Sequence, residues 1–256
     1  MKSICNALLY AALLGLIIPA SAETDQEFKA RTGETRVIPP VEDFGGRYRE
    51  GDKEVVIPPA EYKKMLINDF NKYDKIREKD GFSYRGTIVE IIKENSYYAN
   101  DGSEKEIFLG CLESDPYFNV RAACAHAVGE MNYKEGKDRI RKAILKETCI
   151  PVKLSMAEAL INLEDKSAPE IYSELSTILG KKNAEKWDFG YTEKTDVNPK
   201  AMVVDQSAIQ IENVRGLASK ILSRGDTKMA KEAMKPFIND SNETVKTESR
   251  KLGLLP

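Results

Sequence analysis

The sequence predicts an all-α protein, an α-solenoid of stacked helical hairpins behind an extended N-terminal leader. Apolar residues in the second half of the chain recur at the spacing of one face of an α-helix. The stripe around Val120 then reappears around Val152, 32 residues later. Two helices in a repeating unit of this length are typical of a helical solenoid, in which each hairpin buries its apolar face against its neighbours. The repeat therefore predicts one continuous domain over residues 60–256.

The first 22 residues have the three parts of a secretory signal peptide. Lys2 supplies the positive charge, residues 7–18 form the apolar run, and Ala20-Ser21-Ala22 is a small-residue cleavage site. The apolar run is shorter than the roughly 20 residues that a membrane-spanning helix needs. Cys5 precedes this run, which is the wrong place for a lipid anchor. We expect cleavage after Ala22 and an exported protein, either periplasmic or extracellular.

The charge balance argues against nucleic acid and membrane surfaces as partners. The chain carries 39 Lys and Arg against 41 Asp and Glu, and loss of the signal peptide removes one further Lys. A chain this close to neutrality has no overall attraction for polyanions. We expect one or more protein partners, no nucleic acid and no membrane span, while the oligomeric state stays open.

The mature chain keeps three cysteines, Cys111, Cys124 and Cys149. All three fall on apolar positions of predicted helices, where a thiol behaves as a small buried hydrophobe. A disulfide between Cys111 and Cys124 is the alternative in an oxidising compartment. None of them has the spacing of metal ligands, and the chain has one histidine, so no metal or cofactor is predicted.

The leader at 23–59 is predicted to be extended. It contains Val-Ile-Pro-Pro twice, at 37–40 and at 56–59, and each proline biases the residue before it away from the helical region. Two interpretations stay open. The leader is either a solvated linker or a segment that docks on the body or on a partner.

Helical spacing begins near Ala60 and continues to the C-terminus. Ser103 with Glu106, and Ser167 with Glu170, have the spacing of a capping box, and Asp226 is a further candidate cap. The apolar stripes run over residues 62–76, 88–92, 107–112, 120–131, 140–144, 152–163, 171–179, 214–222, 230–238 and 245–252.

Several short motifs in these helices resemble HEAT repeats in their short bacterial form. They are Asp115-Pro116, Asn119-Val120-Arg121 and Ala127-Val128-Gly129, with Asn213-Val214-Arg215 as a second copy and Pro151-Val152-Lys153 and Thr244-Val245-Lys246 as weaker ones. The resemblance covers about residues 103–256, and 60–95 is read as a degenerate start. It implies that the second helix of each hairpin forms a wall that usually holds a protein partner.

Four cations recur at the same place in the second helices: Arg121, Lys153, Arg215 and Lys246. They form either a basic ladder for an acidic ligand or ion pairs with acids six residues earlier, namely Asp115, Glu147 and Asp240. The resemblance favours ion pairs. His126 lies beside the apolar stripe and is predicted to be an ordinary surface-facing helix residue.

The 32-residue rhythm is broken by an inserted loop at 181–206. This loop contains the only tryptophan, in Trp187-Asp188-Phe189-Gly190-Tyr191. Long loops in compact domains are usually functional or disordered, and aromatic side chains make effective interface anchors. Trp187, Phe189 and Tyr191 are therefore candidate protein-binding residues, unless Trp187 folds back onto the helices.

The chain has no local signature of a nucleophile, a phosphate loop or a catalytic carboxylate pair. We therefore expect a non-catalytic, exported protein-binding scaffold or adaptor that uses the solenoid surface and the aromatic loop. One alternative is a structural envelope component held by its leader. Another is a bilin-lyase-like enzyme or chaperone, since some HEAT-like proteins are bilin lyases.

Overall fold

The structure is a computed structural model, and it describes residues 46–50, 53–73, 83, 85–99, 101–180 and 208–256. Within these ranges the protein is all-helical apart from one β-hairpin, which confirms the predicted all-α class. The signal peptide, most of the leader and the insertion at 181–206 lie outside the described residues. Trp187, Phe189 and Tyr191 lie outside them as well.

The described chain contains ten α-helices. The strands are β1 Gly46–Glu50 and β2 Lys53–Ile57. The helices are α1 Pro59–Tyr73, α2 Arg85–Ser96, α3 Lys105–Ser114, α4 Phe118–Glu130, α5 Lys137–Ile144, α6 Ile150–Asn162, α7 Pro169–Gly180, α8 Ala208–Ser223, α9 Thr227–Met234 and α10 Glu243–Lys251. Short 3₁₀ turns at Lys134–Gly136 and Lys235–Phe237 precede α5 and follow α9.

The C-terminal part of the leader is a hairpin packed on α1. The two strands are antiparallel, with Gly46 opposite Ile57 and Glu50 opposite Lys53. Gly46 lies against the ring of Tyr62, so close that a Cβ atom built on it would be 2.7 Å from Cδ2. A two-stranded hairpin is marginal alone and becomes stable when it packs on a helix. The extended backbone expected for this stretch is therefore present, and it ends where α1 begins at Pro59.

Asp226 caps α9 as predicted, accepting hydrogen bonds from the backbone N–H groups of Lys228 and Met229. The capping box predicted at Ser103 is wrong. Helix α3 begins after Glu104 without a side-chain cap, and the Ser103 hydroxyl instead donates to Asp101 at 2.7 Å. Asp101 and Glu104 instead share the buried ammonium group of Lys63.

The helices are arranged in two layers. Each even-numbered helix from α2 to α10 packs against the next even-numbered helix, and each odd-numbered helix from α3 to α9 packs against the next odd-numbered one. The core lies between the layers and contains large side chains such as Phe108, Leu112, Ile140, Leu160 and Ile171. Helices α4 and α6 have neighbours on three sides, so they are buried around most of their circumference.

Small residues let α4 and α6 approach closely. Ala127 and Cys124 are completely buried. A Cβ atom built on Gly129 would lie 2.7 Å from the Cα of Ala159, which is backbone and cannot move aside alone. By contrast, a Cβ on Gly110 in α3 would meet nothing within 4 Å.

These two glycines predict opposite effects of the same substitution. We expect Gly110→Ala to stabilise the protein by about 0.5–1 kcal/mol, since alanine restricts the unfolded chain. Gly129→Ala gains the same helix propensity but overpacks the α4–α6 contact, for a net loss of about 1–2 kcal/mol. Urea denaturation of both variants measures this difference. Equal shifts in the two unfolding midpoints would contradict the close packing.

The disulfide between Cys111 and Cys124, the sharper of the two sequence alternatives, is present. It joins α3 to α4 with a Cα–Cα distance of 6.1 Å. Cys149 remains a thiol and is buried at the start of α6. The bond closes a short loop around the turn at Asp115, so it holds one odd and one even helix together at the point where the layers meet.

Reduction of this bond has a predictable cost. A closed loop of this length restricts the unfolded chain by about 3 kcal/mol, and we expect a reductant to lower the free energy of unfolding by about that amount. A Cys111→Ala/Cys124→Ala variant is the control, because its stability should not respond to reductant. If wild type and control respond equally, the bond does not form in solution.

Among the helices of the described residues, none combines the length and the apolar composition of a membrane-spanning segment.

Candidate interaction surface

The recurring cations lie in ion pairs, as the resemblance implied, but with other partners than the sequence predicted. Arg121 pairs with Glu147, Nε to Oε2 at 2.7 Å, and donates to the carbonyl oxygen of Asp115 at 2.8 Å. The Asp115 carboxylate instead holds Arg85, at the start of α2, at 2.6 Å. The expected pair between the Arg121 and Asp115 side chains is therefore wrong.

The same correction applies to the other cations. Lys153 pairs with Glu174, Arg215 with Asp240 and Glu212, and Lys246 with Glu243. Glu147 and Asp240 thus hold arginines of the preceding even helix, and the expected pairs with Lys153 and Lys246 are wrong. An arginine of one even helix reaches the acid before the next even helix in three cases, Arg85–Asp115, Arg121–Glu147 and Arg215–Asp240.

The reason lies in what each acid does locally. Asp115 accepts the backbone N–H of Tyr117 at 3.0 Å, and Glu147 accepts that of Cys149 at 2.9 Å. Asp240 accepts the backbone N–H of Asn242, also at 3.0 Å. Each carboxylate thus satisfies a backbone donor at the start of its own even helix and turns its remaining oxygen toward the preceding one. The recurring cations are therefore engaged in ion pairs within the fold, and they do not form a basic ladder for an acidic ligand.

A second charged cluster lies at the N-terminal end of the core. Lys63 of α1 is completely buried, and its ammonium donates to Asp101 at 2.6 Å, to Glu104 at 2.8 Å and to the carbonyl oxygen of Ala99. The Tyr133 hydroxyl donates to Glu104. Burial alone would raise the pKa of Glu104, but the hydrogen bonds from Lys63 and Tyr133 outweigh it and lower that pKa. All three N–H groups of the lysine have acceptors, so this cluster holds α1 in place.

The solvent-facing side of the even layer carries two rows of polar residues at equivalent helix positions. We call these eight side chains the polar strip; all of them are partly or fully exposed. The first row is Glu90, His126, Glu158 and Lys220, and the second row is Glu94, Glu130, Asn162 and Arg224. Within each row the members follow α2, α4, α6 and α8 in order, with Arg224 directly after the last residue of α8.

His126 bridges α2 and α4 at one end of the polar strip. Its Nδ1 lies 3.6 Å from Glu90 Oε1, and its Nε2 lies 3.3 Å from Glu130 Oε1. Lys93, largely buried beneath them, reaches Glu90 at 2.7 Å and Glu130 at 2.6 Å. The predicted surface position of His126 is thus confirmed only in part, since its side chain is 30% exposed and held between two carboxylates.

These contacts fix the charge of the cluster. Burial opposes charge on the imidazole, but hydrogen bonds to Glu130 and Glu90 outweigh it and raise the pKa of His126 to about 9. Burial likewise opposes charge on Glu130, and the bonds from His126 and the charge of Lys93 lower its pKa to about 2. His126 is therefore a cation at neutral pH.

The other end of the polar strip is basic. Arg224 bonds to Glu158 at 2.5 Å and to Asn162 Oδ1 at 2.7 Å, which links α8 to α6. Lys220 is exposed and forms no ion pair with the described residues, and the same is true of Glu94 at the acidic end. Acid thus predominates on α2 and base on α8.

Sequence reasoning missed the polar strip. Its signal is present in the chain, because His126, Glu158 and Lys220 follow the recurring cations Arg121, Lys153 and Arg215 by five residues each, and Glu90 follows Arg85 by the same interval. Among the residues that the structure describes, no cluster of three or more His, Cys, Asp or Glu is arranged to hold a metal ion.

No protein-family model, no curated protein and no solved structure matches this chain.

The His126 bridge predicts a pH dependence of stability. A histidine with a pKa near 9 in the folded protein and near 6.5 in the unfolded chain stabilises the fold fully below pH 6.5. That contribution is lost as the pH rises through 9. We expect wild type to lose about 1–2 kcal/mol relative to His126→Gln between pH 6.5 and pH 9, after allowance for solvent screening.

Urea denaturation at several pH values measures this difference. Lys228→Gln, an exposed change on α9, is the matched control and should leave the shape of the wild-type profile unchanged. Parallel profiles for wild type and His126→Gln would refute the bridge.

Proposed function

We propose that the chain is an exported, non-catalytic scaffold or adaptor, a HEAT-like α-solenoid that binds a protein partner along its even-numbered helices. The polar strip is the observation that carries this proposal. It is a solvent-facing surface across α2, α4, α6 and α8, built from polar side chains that lie outside the apolar core.

The solenoid interpretation is supported by the order of contacts between helices. Even helices follow even helices and odd follow odd, which is the arrangement of stacked hairpins. It is also supported by the tie between each even helix and the next, in Arg85–Asp115 and Arg121–Glu147. Arg85 extends this tie into α2, within the stretch read from sequence as a degenerate first unit.

Export is supported by the features of the signal peptide and, weakly, by the Cys111–Cys124 disulfide, since such bonds persist in oxidising compartments. The part of the leader that precedes the hairpin, and the aromatic loop with Trp187, Phe189 and Tyr191, are proposed as additional contacts for the partner.

A role in binding is supported by how the charges of the polar strip are held. Glu90 and Glu130 are both neutralised by His126 and Lys93, and a carboxylate whose pKa is lowered is a poor general base at neutral pH. Side chains that hold one another in place form a pre-organised surface, which lowers the entropy cost of binding.

One observation favours a second candidate, a structural envelope component held by its leader. The paired strands β1 and β2 lie at the C-terminal end of the leader and contact α1 through Gly46 and Tyr62. In that case the leader alone would attach the protein to a neighbouring molecule, and the helical part would be held in place through the leader.

A pull-down with the mature chain, residues 23–256, tests both. We expect wild-type protein to retain a protein from an envelope extract, and a chain without residues 23–45 to retain it as well. Retention that depends only on residues 23–45 favours the structural component. No protein retained above an unrelated helical control, with or without residues 181–206, would refute the adaptor.

A further inference from the structure

We propose that the polar strip binds an extended segment of the partner, with basic side chains of that segment over α2 and acidic ones over α8. This inference rests on the proposed function and adds the chemistry and the direction of the bound segment. Three features support it: the charges that the strip leaves unpaired, their order along the helices and the size of the surface.

The acidic end has one carboxylate more than its cations neutralise. Glu90, Glu94 and Glu130 converge there, against the two cations Lys93 and His126. Glu94 is exposed and has no ion pair with the described residues. Partial burial raises the pKa of Glu94; the nearby charge of Lys93 opposes this rise, and the charges of Glu90 and Glu130 add to it. A basic side chain from a partner would relieve this repulsion.

The basic end has the opposite excess. Lys220 is exposed and has no ion pair with the described residues, while Arg224 forms an ion pair with Glu158. Lys251 occupies the equivalent position on α10, with 65% of its side chain exposed, and pairs with Glu248 at 2.8 Å. An acidic side chain is the complement of this end. Between the two ends of the strip, His126 and Glu158 carry opposite charges, and Asn162 has an amide side chain that can form hydrogen bonds.

The dimensions favour a segment over a second globular surface. Neighbouring helices pack about 8–10 Å apart, so the three steps from α2 to α8 span roughly 27 Å. Two rows one helical turn apart make the strip about 10 Å wide, or roughly 300 Å². A stable globular interface buries about 800 Å² per partner, which this strip does not provide. An extended chain rises about 3.3 Å per residue, so about eight residues cover the distance.

The probe is a synthetic nine-residue peptide with two lysines at one end, two aspartates at the other, a neutral Ser/Gly spacer, and a photo-crosslinking residue beside the lysines. With the mature chain at low salt, we expect crosslinks on α2 and α4. The double variant Glu94→Lys/Lys220→Glu reverses the ends of the strip. It should bind the same peptide turned end for end, with crosslinks moved to α8.

Each single variant, Glu94→Lys or Lys220→Glu, should lower the crosslink yield several-fold, and 0.5 M salt should do so for all. A peptide of the same composition with its charges alternating should crosslink less than the ordered one. The matched control is Glu106→Lys/Lys142→Glu on the odd layer, where both residues are exposed. It should behave as wild type. Circular dichroism establishes that all variants are folded.

Crosslinks that stay on α2 in the double variant, or that form equally with the alternating peptide, overturn the inference. So does self-association through the strip, seen as dimers in sedimentation that Glu94→Lys abolishes. If the pull-down retains its protein equally with wild type and the double variant, the adaptor function stands and this segment-binding inference fails. If neither retains a protein, the adaptor function itself fails.

Discussion

The close approach of successive even-numbered helices is the constraint on which the rest of the structure depends. Gly129 has no room for a side chain beside Ala159, and a Cβ on Gly86 of α2 would lie 2.6 Å from the Asn119 amide of α4. Helices this near one another bury most of their circumference, and buried apolar area is the main source of stability, at about 25 cal/mol per Å². The same spacing brings an arginine of α2, α4 and α8 within reach of the acid that precedes the next even helix.

The acid that precedes an even helix makes two kinds of contact. Together these contacts explain why the regularly spaced charges do not form a ligand site. Asp115 accepts a backbone N–H at the start of α4 and the guanidinium of Arg85 from α2. Hydrogen bonds to charged groups contribute about 1.5–3 kcal/mol, and losing one partner of a buried pair costs more than the pair contributes. Both roles fix the carboxylate, and therefore fix the turn between layers. The Cys111–Cys124 disulfide spans the same turn covalently.

Features that depend on the spacing of nearby residues could be predicted from the sequence. Contacts between residues that are distant in the sequence could not. Helical stripes and the Asp226 cap follow from residues a few positions apart. The partner of Arg121 does not, because the acid nearest in sequence is turned away by its own backbone contact and Glu147 lies nearer in space. Ser103 failed as a cap for a related reason, since buried Lys63 draws Asp101 and Glu104 into its own network. The polar strip can be recognised in the sequence only when α2 is aligned with α4 by matching Arg85 to Arg121. The spacing between these two arginines differs from the 32-residue period.

Packing determines the residue type at nearly every position of α4 and α6. The few positions that face solvent are therefore informative. A helix buried by two even neighbours and one odd layer exposes little more than one position per turn, such as His126 and Glu130 on α4. His126 and Glu130 tie α4 to α2 through ion pairs with Glu90 and Lys93, but those pairs do not determine which end of the strip carries the excess of acid. A purely solvating surface would mix the two signs of charge on every helix. The segregation of acid to α2 and of base to α8 instead creates a direction along the strip, and a direction has physical consequences only for a bound molecule that itself has two different ends.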